Sequence, residues 1–133
     1  MKPDLAGLTK LAQELRKVPP KQFDMKTWWR KSPCGTTGCI AGYAAAFFPS
    51  RFRKLKDDLY TDDERHIEEY EVECRRTGRT GSEAFADGFR ISEEDAESIT
   101  LPYNSEYFTI IKTPKQAAKR VMALVGRLKK EGK

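Results

Sequence analysis

The densest chemistry in the sequence lies in one turn, Cys34-Gly35-Thr36-Thr37-Gly38-Cys39, just before a run of small and apolar residues. A helix is expected to follow, from about Gly38 to Phe48, which puts Cys39 in its first turn. Unpaired N–H groups and the helix dipole there favour a thiolate and lower its pKa. Thr36, Thr37 and the flanking amides are placed to hold a small anion. A cysteine hydrolase has this outline, a nucleophile at a helix start beside an oxyanion-binding turn. It also needs a base, and the single histidine, His66, sits far off in a highly charged stretch. The bland alternative is that Cys34 and Cys39 are small buried residues beside a tightly packed helix. No catalytic set is complete, so the sequence leans against an enzyme and calls for no cofactor.

Cys34, Cys39, His66 and Cys74 also offer zinc-ligand chemistry. Their spacing is poor. Four residues separate Cys34 from Cys39, the upper limit of a knuckle. His66 and Cys74 lie just over two turns apart on an expected helix, too far for one ion. No metal is therefore assigned. A Cys34–Cys39 disulfide is sterically allowed but disfavoured in a reducing compartment.

Nucleic acid is the third chemistry. The stretch from Ala84 to Thr100 has the outline of a helix-turn-helix, but its second helix carries Glu93, Glu94, Asp95 and Glu97 and no Lys or Arg. Phosphates would be repelled. The basic residues sit instead on the expected last helix: Lys115, Lys119, Arg120, Arg127 and Lys130. A nucleic-acid reading rests on Lys119, Arg120 and Arg127; the alternative is a solvated face with snorkelling stems. Trp28 and Trp29 are adjacent, so on a helix they point about 100° apart. One is expected in the core, and the other, beside Arg30 and Lys31, suits a protein interface.

The elements that must position these residues read as helices. Leu5, Leu8, Leu11, Ala12 and Leu15 recur at helical spacing over Asp4–Lys17, and Pro19-Pro20 end the run. Asp24 is placed to cap a short helix, with Phe23 and Trp28 as its staple. Ala41, Gly42, Ala45 and Ala46 make the Gly38–Phe48 helix slim, so neighbours approach it closely and it is expected to be central. Thr61-Asp62-Asp63-Glu64 reads as a capping box opening a helix to about Arg76, with Ile67, Tyr70 and Cys74 on one face. Ser82 is expected to cap a short helix closed by Gly88, and Ser92 another. Tyr103–Ile111 has strand-like composition but no evident partner strand, and is read as an extended loop. Thr113, Pro114 and Gln116 form a capping box opening a last helix faced by Ala118, Val121, Met122, Val125 and Leu128.

Length and composition set the frame. At 133 residues, 38% hydrophobic and 34% charged, the chain suits one soluble globular domain rather than disorder. No apolar run approaches membrane-spanning length, and the first residues lack the apolar centre of a signal peptide. Three cysteines are too few for a disulfide scaffold. A cytoplasmic protein is expected. The net charge of +5 is uneven, with basic ends and an acidic middle. Packed together, the ends make a positive face; alternatively they satisfy the acidic middle.

Three landmarks in order carry a resemblance: Phe23-Asp24-Met25 followed by Trp28; Cys34-Gly35-Thr36-Thr37-Gly38-Cys39-Ile40-Ala41-Gly42; and Thr113-Pro114 followed by Gln116-Ala117-Ala118. They resemble a family of short, uncharacterised proteins of bacteriophages and bacterial genomes. The family signature reads Cys-Gly-Thr, two residues, Cys, one residue, Ala-Gly. The resemblance takes in the stretch around Gly88 and Ser92, and the charged segment 50–80 looks like an insertion relative to shorter members. It implies a phage or mobile-element context and brings no activity.

The expectation is a single all-α domain of five or six short helices around a small-residue central helix. Its expected role is a non-enzymatic protein-interaction domain, with another protein as partner and no membrane. A cysteine-dependent enzyme and a nucleic-acid binder are the alternatives.

Overall fold

A computed structural model describes residues 2–33, 35–100, 103–104 and 109–132, with backbone alone at 103, 104, 109 and 110. The architecture is mixed α/β, which corrects the all-α expectation. In chain order the elements are α1 (Leu5–Leu15), a short 3-10 turn (Pro20–Gln22), β1 (Trp29–Ser32), β2 (Gly35–Gly38), α2 (Ile40–Phe47), β3 (Phe52–Lys56) and β4 (Glu68–Cys74). Then come α3 (Gly81–Phe89), α4 (Glu93–Thr100), β5 (Tyr103–Asn104), β6 (Thr109–Ile110) and α5 (Pro114–Lys130).

An antiparallel sheet in the order β2-β1-β4-β3 forms one layer. Trp29 pairs with Gly38 on one side and Tyr70 on the other, and Phe52 pairs with Cys74. Two expected helices are therefore strands. The segment from Thr61 to Arg76 turns through a loop and becomes β4. The segment after Asp24 runs through a turn into β1, with Asp24 bonding the Lys26 N–H rather than capping a helix. Glu is a good helix former, so Glu68, Glu69, Glu71 and Glu73 favoured a helix locally. The pairing of β4 with two neighbours outweighs that preference, because a strand buried on one face gains packing that propensity does not record. Tyr103–Ile111, expected as a loop, contributes the two-residue strands β5 and β6, paired with each other.

Five of the expected helices stand, as α1 to α5. Asp4 caps α1 by accepting the Gly7 N–H at 2.9 Å, and Leu8, Leu11 and Leu15 are fully buried. Each such burial stabilises by roughly 1.5–3 kcal/mol. Ser92 Oγ accepts the Asp95 N–H at the start of α4. The Thr113–Gln116 capping box opens α5, which packs on α1. The two basic ends of the chain thus lie together. Slim α2 touches α1, α3, α4 and the sheet, as expected of a central helix. Its Gly42 is required: a Cβ there would lie 1.7 Å from the Trp28 carbonyl oxygen. Gly88 does not close α3. It lies inside the helix against the Phe52 ring, where a Cβ would come within 2.1 Å, and the left-handed cap is Arg90 at φ 58°. Phe48, Phe52, Phe85 and Phe89 stack together where the helices meet the sheet.

Candidate binding cleft

The alternation of the strands sorts the sheet into two faces. One carries Arg30, Glu69, Glu71, Arg53 and Glu73, laced by Arg30–Glu69 and Arg53–Glu73 ion pairs. Thr27 Oγ1 adds a 2.7 Å bond to Glu69. The other face carries Trp29, Lys31, Phe52, Lys54, Lys56, Glu68, Tyr70, Val72 and Cys74, with Glu68 opposite Lys31 and paired to Lys56. Phe52, Val72 and Cys74 are buried beneath the helices. Lys31, Lys54 and Lys56 stay exposed, because the sheet runs on past the helical layer.

Where that layer stops there is a cleft of about 280 Å³. Trp29, Lys31, Lys54 and Tyr70 line its sheet side; Ala45, Ala46 and Pro49, at the end of α2, make an apolar wall. Lys54 Nζ sits 4.4 Å from the centroid of the Trp29 ring, and Lys31 Nζ 5.5 Å from that of Tyr70. Arg75 closes one end, its Nε donating to the Pro49 and Phe52 carbonyls at 2.8 and 3.2 Å.

Cations dominate the charged lining of this cleft, where only Arg53 is paired among the described residues, with Glu73. Arg30, Arg51, Arg53, Arg79 and Arg127 each meet a carboxylate. Among the described residues, Lys31, Lys54 and Arg75 meet none. Desolvation, and then the charge of Lys31, hold the Lys54 ammonium below the usual lysine pKa. Trp29 is 7% exposed and its indole N–H finds no acceptor among the described residues. Lys31, Lys54 and Arg75 beside an apolar wall present a positive potential to an anionic group that also carries apolar surface.

The residues singled out from sequence fall elsewhere, with one exception. Trp29 is the core tryptophan and lines the cleft. Trp28 is half-buried against the core rather than exposed; its carbonyl accepts the Cys39 N–H at 3.3 Å. Thr36 and Thr37 lie in β2, paired with Lys31 and Arg30. Cys39 is the N-cap residue of α2 and is 1% exposed. Burial pushes its thiol up to about 11, against the amides of Gly42 and Ala41 that pull the other way. The helix start was expected to lower this pKa; desolvation wins. Cys74 is buried in β4 and His66 lies in the β3–β4 loop at φ 58°. Among the described residues no three His, Cys, Asp or Glu side chains gather as a metal site. Cys34 lies outside the described residues.

On α5, Arg127 is paired with Asp95 and Glu131, and Arg120 donates to the Ser98 carbonyl at 3.2 Å. Lys119 is exposed. Two of the three expected phosphate contacts are thus spent on holding α5 to its neighbours. Lys54, Tyr70 and Arg75 were missed. The signal for Lys54 and Tyr70 was the period-two alternation of Phe52, Lys54, Lys56 and of Tyr70, Val72, Cys74.

No helix among the described residues is long and apolar enough to cross a membrane. No protein-family model, characterised protein or solved structure matches the chain.

Proposed function

We propose that the protein is a non-enzymatic protein-interaction domain whose cleft receives a short acidic, apolar-bearing segment of a partner protein. The resemblance in the sequence supports a phage or mobile-element origin. The observation that carries the reading is the unpaired set Lys31, Lys54 and Arg75 around an apolar wall.

Nucleic acid fits this cleft less well. Single strands bind through exposed aromatic faces on which bases stack. Here a lysine ammonium covers each ring. A phosphate backbone tracking past the cleft would also meet Glu68 on the same sheet face and the acidic β3–β4 loop. A compact segment that inserts one acidic-apolar cluster avoids both.

The test is fluorescence-polarisation binding of labelled peptides: a glutamate-rich peptide with one Leu-Tyr pair, its lysine-rich counterpart, and oligothymidylate. The acidic peptide should bind, weaken with salt, and lose at least about tenfold in affinity in Lys31→Glu/Lys54→Glu, a change of roughly 1.4 kcal/mol. Affinity should also fall as alkaline pH discharges Lys54. Acidic-peptide binding untouched by the double variant, or oligothymidylate binding in its place, would overturn the reading.

A further inference from the structure

The β3–β4 loop presents a feature the cleft reading does not use. Leu59 and Tyr60 are 81% and 68% exposed, the large hydrophobic residues most open to solvent among those described. They do not hang on a loose loop. The Asp57 carboxylate accepts the Leu59 N–H at 3.1 Å, and the Asp57 carbonyl accepts Tyr60 and Thr61 N–H groups at 3.3 and 3.1 Å. Asp62 and Ile67 exchange two backbone bonds of 2.8 and 2.9 Å, and Thr61 Oγ1 accepts the Glu69 N–H. The result is a braced knob with Leu59 and Tyr60 at its tip, and Asp57, Asp58, Asp62, Asp63 and Glu64 around them.

Its chemistry is the complement of the cleft: apolar and acidic against apolar and cationic. Both belong to one hairpin. Lys56 pairs with Tyr70, which lines the cleft, and Lys56 feels the charges of Asp58 and Asp63 on the knob. Knob and cleft therefore lie along one hairpin, the knob at its turn and the cleft beside its strands, reaching Phe52 and Arg75 at the far end. A single patch bearing both halves of a contact is self-complementary, as a twofold interface requires, and such an interface closes at two copies.

We infer that the protein forms a reciprocal dimer in which the Leu59–Tyr60 knob of each copy seats in the Lys31/Lys54/Arg75 cleft of the other. The inference rests on the cleft reading above and names a second copy of this chain as the acidic partner. Each dimer holds two copies of the contact, so weakening one weakens both.

Sedimentation velocity across a concentration series tests it. The wild-type chain should be a reversible dimer that dissociates as salt rises. Leu59→Ser/Tyr60→Ser changes only exposed side chains and should leave a folded monomer, checked by circular dichroism. Lys31→Glu/Lys54→Glu should be monomeric because acidic knob meets acidic cleft. Asp58→Lys/Asp63→Lys should be monomeric for the opposite reason. An equimolar mixture of these last two restores both contacts and should sediment as a heterodimer. A wild-type chain monomeric at every concentration, a dimer that survives the Ser substitutions, or a mixture that stays monomeric would overturn the inference. If the glutamate-rich peptide still binds that monomer, the cleft reading stands and self-docking alone falls; if it does not, both fall.

Discussion

Cys39 carries the lesson of the residue scale, because two opposing effects meet on one sulfur. A helix N-terminus lowers a thiol pKa when the sulfur stays partly solvated. Here the sulfur is buried against the Trp28 carbonyl, and burial raises the pKa to about 11. At about pH 8 only on the order of a thousandth of such a thiol is ionised. Native Cys39 should therefore resist iodoacetamide and react once urea opens the fold, read by peptide mapping of the alkylated positions. Rapid labelling of Cys39 in the folded protein would show a solvated thiol instead. The sequence alone placed Cys39 correctly at a helix start. It did not reveal the cover, because that cover includes the Trp28 backbone, which reaches the thiol only when β1 pairs with β2.

At the scale of elements, the slim face of α2 decides how closely the sheet approaches. Gly42→Ala would gain about 1 kcal/mol of helix propensity. Against this, its methyl would meet the Trp28 carbonyl oxygen at 1.7 Å, and that oxygen is backbone and cannot swing away. Overpacking of this kind costs about 1–3 kcal/mol and more where nothing yields. The expected result is a net loss of about 2 kcal/mol and a fall in Tm of roughly 5–10 °C. A Gly42→Ala protein as stable as wild type would contradict the contact. All five helices were legible in the sequence because their apolar spacing, and for α4 and α5 their caps, are local. β4 was not, since Ile67, Tyr70 and Cys74 recur at helical spacing while Tyr70, Val72 and Cys74 alternate. Both patterns are present, and only β1 and β3 on either side decide between them. The cleft inherits that obscurity: Lys31, Lys54 and Tyr70 are brought together by strand pairing, and only Trp29 was singled out beforehand.

Across the whole molecule, Asp4 ties the start of the chain to its middle. Its carboxylate caps α1 and pairs with Arg51, while its N–H donates to the Phe89 carbonyl at 2.9 Å. Burial pushes the Asp4 pKa up, but the Gly7 N–H and Arg51 outweigh it and hold the carboxyl below its ordinary value near 3.8. A carboxyl with a depressed folded pKa stabilises above the unfolded value, and the stabilisation is lost as pH falls through the folded one. Asp4→Asn keeps an N-cap and removes the charge. Chemical denaturation should find this variant less stable than wild type at neutral pH, with the gap closing below about pH 4. A gap independent of pH would place the loss in packing rather than charge.

The strand order has a consequence for how the chain folds. β1–β2 and β3–β4 are each local hairpins, and such pieces form in about 1–10 μs. The sheet exists only once β1 finds β4, a pairing whose Arg30–Glu69 contact joins residues 39 apart, with α2 lying between. Closing that span costs chain entropy before any contact rewards it, so within the sheet the meeting of two hairpins, rather than the growth of either, is the expected slow step.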